Sequence, residues 1–162
     1  MRQPILSVAG IAGGLALVIW LMSPASAQTL AGCDAADAGK VRLEVSVSGM
    51  RSAKGNVTIT IYPDDAAHFL DGAYKVARQI LPVTLPVTHA CFVLPASGNY
   101  AVALFHDENS NGHFDTTWLG LPAEGYGFSN NPSLSLGPPS LGQARIALHA
   151  GANPVAVQMK YF

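Results

Sequence analysis

The stretch V-R-L-E-V-S-V-S, Val41–Ser48, decides the fold, because apolar and polar residues alternate in it at every step. A period of two places one set of side chains in a core and the other in water, which predicts a β-strand. Residues 56–62, N-V-T-I-T-I-Y, alternate in the same way after a Gly-bounded turn at residues 49–55. We therefore predict that the two stretches are strands and that they pair as a β-hairpin.

Further stretches of this kind follow along the chain. The strongest is N-Y-A-V-A-L-F-H, residues 99–106, whose apolar residues on both faces predict a central strand. No convincing helix is expected after residue 27. About seven short strands with Gly and Pro turns predict an all-β fold, a single antiparallel β-sandwich of immunoglobulin or transthyretin type. The remaining strands are predicted at residues 74–84, 90–94, 141–149 and 154–161.

Two stretches break the alternation. Residues 63–72 have room for one helical turn, and we expect Phe69 and Leu70 to cap the core there. Residues 107–140 show no periodicity, and a compact domain rarely keeps so long an irregular segment unless it is functional or disordered. This segment holds several aromatic residues, in which disordered segments are poor. We predict one long, ordered loop that packs on the sandwich.

The N-terminal residues predict export. An almost entirely apolar run, residues 5–22, is followed by S-P-A-S-A, which supplies a helix breaker and an A-x-A site. This pattern is typical of a secretory signal peptide, here residues 1–27, that is cleaved after Ala27. The alternative is an uncleaved membrane anchor, because about 18 apolar residues can span a bilayer. The predicted localisation is therefore periplasmic or secreted.

The rest of the chain is predicted to hold a flexible leader, residues 28–40, and one β-sandwich domain, residues 41–162. Arg2 is the only charged residue before position 28, so this part carries eight basic and ten acidic residues and a net charge near −2. No basic stripe exists, which argues against a nucleic-acid partner. Bulk positive charge that would attract an anionic membrane is also missing. The partner stays open, with a cell-envelope protein or a glycan as candidates.

The chain contains two cysteines, Cys33 and Cys91. Export would place them where thiols oxidise, and two cysteines allow only one intramolecular pairing. We therefore predict a disulfide that ties the leader to the middle of the chain. The alternative is a pair of buried, unpaired thiols.

The segment D-E-N-S-N-G-H-F-D, residues 107–115, is the candidate metal site. In a D-x-[DN]-x-[DN]-G loop, alternate side chains turn inward and the glycine allows a sharp bend around a calcium ion. The predicted calcium ligands are oxygens of Asp107, Asn109, Asn111 and Asp115, the backbone carbonyl of His113, and Glu124 as a more distant addition.

Two other interpretations of this segment remain open. Trp118 stands where a bidentate Glu would complete the loop, and Asp and Asn residues also form plain turns by bonding their own backbone. A transition-metal site could use His106 and His113 with Asp107 or Asp115. The adjacent positions of His106 and Asp107 do not favour this second interpretation, because neighbours on a strand point to opposite faces.

A second cluster, E-G-Y-G-F-S-N-N, residues 124–131, is the candidate ligand site. Tyr126 and Phe128 share one side if the segment is extended, and Asn130 follows them. Aromatic rings beside amides can stack on sugars or bind a peptide. The rings can equally fasten the long loop to the sheet. A hydrolase that uses Asp107 and Glu124 as acid and base is a third hypothesis, although no nucleophile motif supports enzymatic activity.

The runs G-N-Y-A-V-A-L-F-H-D-E-N-S-N-G-H-F-D, residues 98–115, and G-L-P-A-E-G-Y-G-F-S-N-N, residues 120–131, resemble a family of bacterial exported proteins catalogued as domain of unknown function 2141. The resemblance implies a small β-sandwich of the transthyretin or surface-protein repeat kind, and some such repeats bind calcium through Asp/Asn-Gly loops. Trp118 departs from that calcium pattern. The family name implies no activity, so we expect a non-enzymatic binding or structural module whose calcium loop orders the long segment.

Overall fold

The computed structural model describes residues 32–133 and 137–162, and the predicted signal peptide lies outside the described residues. The described part is nearly all β, with eight strands in two sheets. Short 3-10 helices at Ala35–Asp37 and Gly72–Tyr74 and one short α-helix, α1 (Leu141–Ala144), complete it. The strands are β1 (Val41–Ser48), β2 (Asn56–Pro63), β3 (Ala77–Pro82), β4 (Val87–Leu94), β5 (Gly98–Asp107), β6 (Gly125–Phe128), β7 (Arg145–Leu148) and β8 (Gly151–Gln158).

The first sheet has the order β4-β1-β8 and the second the order β3-β2-β5-β6, with β7 also paired to β5. Along one edge of β5, β7 pairs with its first half and β6 with its second half. The pair β1–β8 is parallel, so the predicted purely antiparallel arrangement is wrong at this place. The all-β, sandwich-like prediction is confirmed, with eight strands instead of about seven.

The predicted hairpin of the first two strands is wrong. β1 lies in the three-stranded sheet and β2 in the five-stranded one, so residues 49–55 cross from one sheet to the other. Packed sheets lie about 10 Å apart, a gap that seven residues of extended chain can span. Met50 is buried within this crossing and anchors it to the core. The alternation correctly predicted that both stretches are strands. It carries no information about which strands pair with each other.

The residues predicted as a strand at 141–149 divide between helix and strand. Leu141–Ala144 form α1, and only Arg145–Leu148 form β7. Ser140 and Gln143 make a capping box, in which the Ser140 N–H donates to Gln143 Oε1 at 2.9 Å. The sequence S-x-x-Q carries this helix-start signal, which the strand prediction overlooked.

Two groups of apolar side chains form the core, one between the sheets and one outside the second sheet. The larger group lies between the sheets and includes the inward residues of β1 and β2, among them Leu43, Val45, Ile59 and Ile61. The smaller group lies on the outer face of the second sheet, where α1 and Phe69 cover Ala101 and Phe128. Burial on both faces explains why the middle of β5, residues 100–105, is apolar.

The predicted disulfide between Cys33 and Cys91 is present, with a Cα–Cα distance of 5.5 Å and 58 residues of sequence separation. It fastens residues 32–40, which include the first 3-10 helix, to β4. Both apolar groups and the disulfide lie within residues 32–162. None of the helices in the described part has the length and apolar character to cross a membrane.

Candidate cation site

The candidate site is built where β5 ends and β6 begins. The two strands are antiparallel, and His106 of β5 pairs with Gly125 of β6. The next residue outward on each strand is Asp107 on one side and Glu124 on the other, so the sheet register places these two carboxylates opposite each other. The sequence did not predict β6, because a four-residue strand with two glycines carries little alternation.

Asp107 organises the turn that follows β5. Its side chain is 1% exposed, and its two oxygens accept the backbone N–H groups of Asn111 and Gly112 at 3.0 and 2.8 Å. The turn needs backbone angles that favour glycine, and Gly112 has φ +79°. One acidic side chain therefore binds two backbone donors and shapes the loop.

Asp115 receives the two amide side chains of the loop. Its Oδ2 accepts Asn109 Nδ2 at 2.7 Å and Asn111 Nδ2 at 2.9 Å. The amide oxygens turn back onto the loop backbone: Asn109 Oδ1 accepts the Asn111 N–H, and Asn111 Oδ1 accepts the His113 N–H. The structure thus brings Asn109, Asn111 and Asp115 together, and the amides present nitrogen to the carboxylate.

Glu124 closes the base of the loop. Its side chain is 5% exposed, and its carboxylate accepts the backbone N–H groups of Glu108 at 3.2 Å and Asp115 at 3.1 Å. Burial raises the pKa of Glu124 above its ordinary value, and the negative charges of Asp115 and Asp107 add to that rise. From the sequence, Glu124 was predicted only as a more distant ligand. In the structure its carboxylate accepts hydrogen bonds near both ends of the segment 107–115.

The site has an excess of negative charge. In the described part of the chain, no Lys, Arg or His forms an ion pair with Asp107, Asp115 or Glu124. Within that same part, no three His, Cys, Asp or Glu side chains are arranged to hold a metal ion by themselves. A cation at this place would need the Asn109 and Asn111 amides to turn their oxygens inward.

His106 is engaged away from the loop. It is fully buried, with Nε2 2.7 Å from the Lys54 carbonyl oxygen and Nδ1 2.6 Å from the Tyr161 hydroxyl. Because a carbonyl only accepts, Nε2 carries the proton and Nδ1 accepts from Tyr161. A transition-metal site at His106 would have to break both bonds. His113 is exposed, and the transition-metal interpretation stays a prediction.

An ion pair fastens the loop to the crossing between the sheets. Arg51 donates to the Glu108 carboxylate from Nε at 3.1 Å, and Ser52 Oγ donates to it at 2.9 Å. The Arg51 guanidinium also lies over the Tyr161 ring, 4.5 Å from its centroid. Chiefly because Arg51 donates to it, Glu108 has a pKa lowered to about 2.

This ion pair predicts an acid-sensitive contribution to stability. Since the pKa of Glu108 falls from 4.5 in the unfolded chain to about 2 in the fold, the contribution is present above pH 4.5 and is lost as the pH falls toward 2. Arg51 is half exposed, so solvent screening limits the expected loss to about 1–2 kcal/mol. Urea unfolding of Glu108→Gln across this range should show a weaker pH dependence. Glu44→Gln is the matched control, because Glu44 forms an ion pair with Arg42 on β1, away from the loop. Equal acid sensitivity of Glu108→Gln and the unaltered protein would contradict the assignment.

The predicted ligand cluster is largely engaged within the fold. Phe128 is buried in the outer apolar group, and Asn130 Nδ2 donates to the carbonyls of Gln143 and Arg145 at 3.2 and 2.8 Å. Tyr126 is half-buried and lies edge-on to Phe114, with ring centroids 6.3 Å apart. These contacts fasten the long loop to the second sheet. A ligand role for Tyr126, Phe128 and Asn130 stays a prediction, as does the hydrolase hypothesis for Asp107 and Glu124.

Fold and site together define a disulfide-linked, sandwich-like β-domain with an acidic, Asx-rich loop at one end of its larger sheet. The model of an uncharacterised family conserved in bacteria, domain of unknown function 2141, matches residues 45–156. The chain belongs to this family. No curated protein and no solved structure matches it.

Proposed function

We propose that this protein is an exported, non-enzymatic binding or structural module whose loop at residues 107–115 binds calcium together with Glu124. The bound ion would replace the internal hydrogen bonds of the loop and stiffen the connection from β5 to β6. Export is supported by the N-terminal sequence and by the disulfide, which is typical of oxidising compartments.

The main supporting observation is that Asp107 and Glu124 are buried and that, among the described residues, no Lys, Arg or His forms an ion pair with either of them. A buried carboxylate is costly unless it is paired or coordinates a metal. Backbone donors satisfy the oxygens of both residues, but they do not neutralise the charge, and Asp115 adds negative charge that acts on Glu124. A divalent cation would supply the missing positive charge.

Oxygen donors favour calcium over a transition metal. The available groups are carboxylates, side-chain amides and a backbone carbonyl, which are hard ligands of the kind that calcium takes. Of the two imidazoles at the loop, His106 already uses both ring nitrogens, and His113 is exposed. With two or three carboxylates, the expected dissociation constant is on the order of 10⁻⁴–10⁻³ M, the range of extracellular modules.

Calorimetric titration of residues 28–162 with calcium tests the proposal. We expect a heat of binding, and at about ten times the dissociation constant a gain of about 1.4 kcal/mol in the free energy of unfolding. Because the folded-state pKa of Glu124 is raised, protons compete with calcium there, so the affinity should fall on acidification at pH values above the ordinary glutamate range. Absence of both heat and a calcium-dependent melting shift would remove the calcium claim.

A second candidate is a calcium-independent carbohydrate- or peptide-binding module. It is favoured by an aromatic surface beside the predicted cluster, where Phe114 is 41% exposed and packs edge-on between Phe105 and Tyr126. Glycan-array binding that survives a chelator and is lost in Phe114→Ala would favour this candidate over the first.

A further inference from the structure

Beyond the acidic loop, residues 116–122 form a small hairpin with an apolar tip. Trp118 and Leu119 occupy the two corner positions of its turn and are 92% and 62% exposed. The turn closes through Gly120 N–H to the Thr117 carbonyl at 2.8 Å and Thr117 N–H to the Leu121 carbonyl at 2.7 Å. The hydrogen-bonded turn therefore holds the Trp118 and Leu119 side chains in solvent.

This placement is not explained by folding. Turn corners usually take Gly, Pro, Asn, Asp or Ser, and an exposed indole ring contributes nothing to either apolar group of the fold. Tryptophan is enriched at membrane–water interfaces, where its ring is apolar and its N–H stays hydrated. A protruding tip needs no complementary pocket in a fluid bilayer, whereas a rigid protein partner would have to supply one.

The hairpin is bonded directly to the candidate cation site. At its base, the Ala123 N–H donates to the Asp115 carbonyl at 3.0 Å, and the Asp115 N–H donates to Glu124. Residues 105–144 contain no Lys or Arg, and in the described part of the chain Asp107, Asp115 and Glu124 form no ion pair. The acidic loop next to the tip would therefore repel an anionic bilayer unless a cation intervened. The five oxygens of residues 107–115 and one carboxylate oxygen of Glu124 would supply six ligands, so up to two of calcium's six to eight positions would stay open for phosphate oxygens.

From this juxtaposition we infer that the protein docks on phospholipid bilayers, with Trp118 and Leu119 inserted at the interface and loop-bound calcium bridging to lipid phosphates. This inference rests on the proposed calcium site and adds the partner of that site. The net negative charge of the chain disfavours an anionic membrane. A calcium ion bound in the loop would turn this repulsion into an attraction at the site of contact.

Fluorescence of residues 28–162 tests the inference, because Trp20 lies outside this segment and Trp118 is then its only tryptophan. The probe is a vesicle of phosphatidylcholine and phosphatidylglycerol, added with calcium or with a chelator. We expect Trp118 emission to shift to shorter wavelength only with calcium, and Trp118→Ala to weaken vesicle sedimentation about tenfold or more. Ile80→Ala is the matched control, since Ile80 is an exposed apolar residue on β3.

The outcomes separate this inference from the proposed function. Calcium heat in calorimetry without any emission shift or sedimentation would overturn the bilayer partner and leave the calcium site standing. Vesicle binding that persists in the chelator would overturn the calcium bridge. Trp118→Ala should keep the calcium heat of the unaltered protein, and equal vesicle binding by this variant would overturn insertion of the tip.

Discussion

Replacing Asp107 by asparagine is expected to weaken calcium binding on the order of 100-fold, because affinity in such loops follows the number of charged ligands. The substitution also acts without calcium. Asp107 accepts the N–H groups of Asn111 and Gly112 in a buried position, and an asparagine would turn its amide nitrogen toward one of these donors. Leaving that donor unpaired should lower the free energy of unfolding by about 1–3 kcal/mol. Calorimetric titration and urea unfolding measure the two effects separately.

Asp71→Asn is the matched control for this substitution. Asp71 also accepts a backbone N–H, from Ala73 at 2.9 Å, but it is exposed and lies outside the loop. The Asp71→Asn variant should bind calcium with the affinity of the unaltered protein. Unchanged affinity in Asp107→Asn would place any calcium site elsewhere, and an unchanged free energy of unfolding would contradict the role of Asp107 in shaping the turn.

Removing the disulfide is expected to cause the largest loss of stability. The bond joins residues 58 apart in sequence, and a loop of that length corresponds to about 4 kcal/mol in the chain-entropy model. The double variant Cys33→Ala, Cys91→Ala should therefore unfold at a clearly lower urea concentration. Since domains are stable by only about 5–15 kcal/mol, this loss is a large part of the total.

The single variant Cys33→Ala separates the bond from side-chain packing. It breaks the same bond but keeps the buried Cys91 side chain, so its stability should match that of the reduced, unaltered protein. The acidic loop lies outside residues 33–91, and calcium affinity should stay the same in both variants. A loss below about 1 kcal/mol would contradict a dominant chain-entropy effect.

Sequence pattern and structure agree where the signal is local. Val41–Ser48 is a strand whose apolar and polar residues alternate between the core and the wet face, and Gly98–Asp107 is a strand whose apolar residues 100–105 pack on both faces. In the loop, Asn109 and Asn111 both bond to Asp115, within a few residues of sequence. The central role of Glu124 was not predictable in this way. It depends on the pairing of β5 with β6, which joins residues far apart in sequence.

The amino-acid sequence alone determined the strand-rich class of this protein, the single possible cysteine pair and an acidic loop with glycine at its bend. Only the tertiary structure decided that β1 and β2 belong to different sheets, that β8 runs parallel to β1, and that Glu124 closes the loop beneath Asp107. The physical reason is that alternation and turn chemistry act between near neighbours in the chain. Strand pairing and charge burial instead depend on which distant segments come into contact.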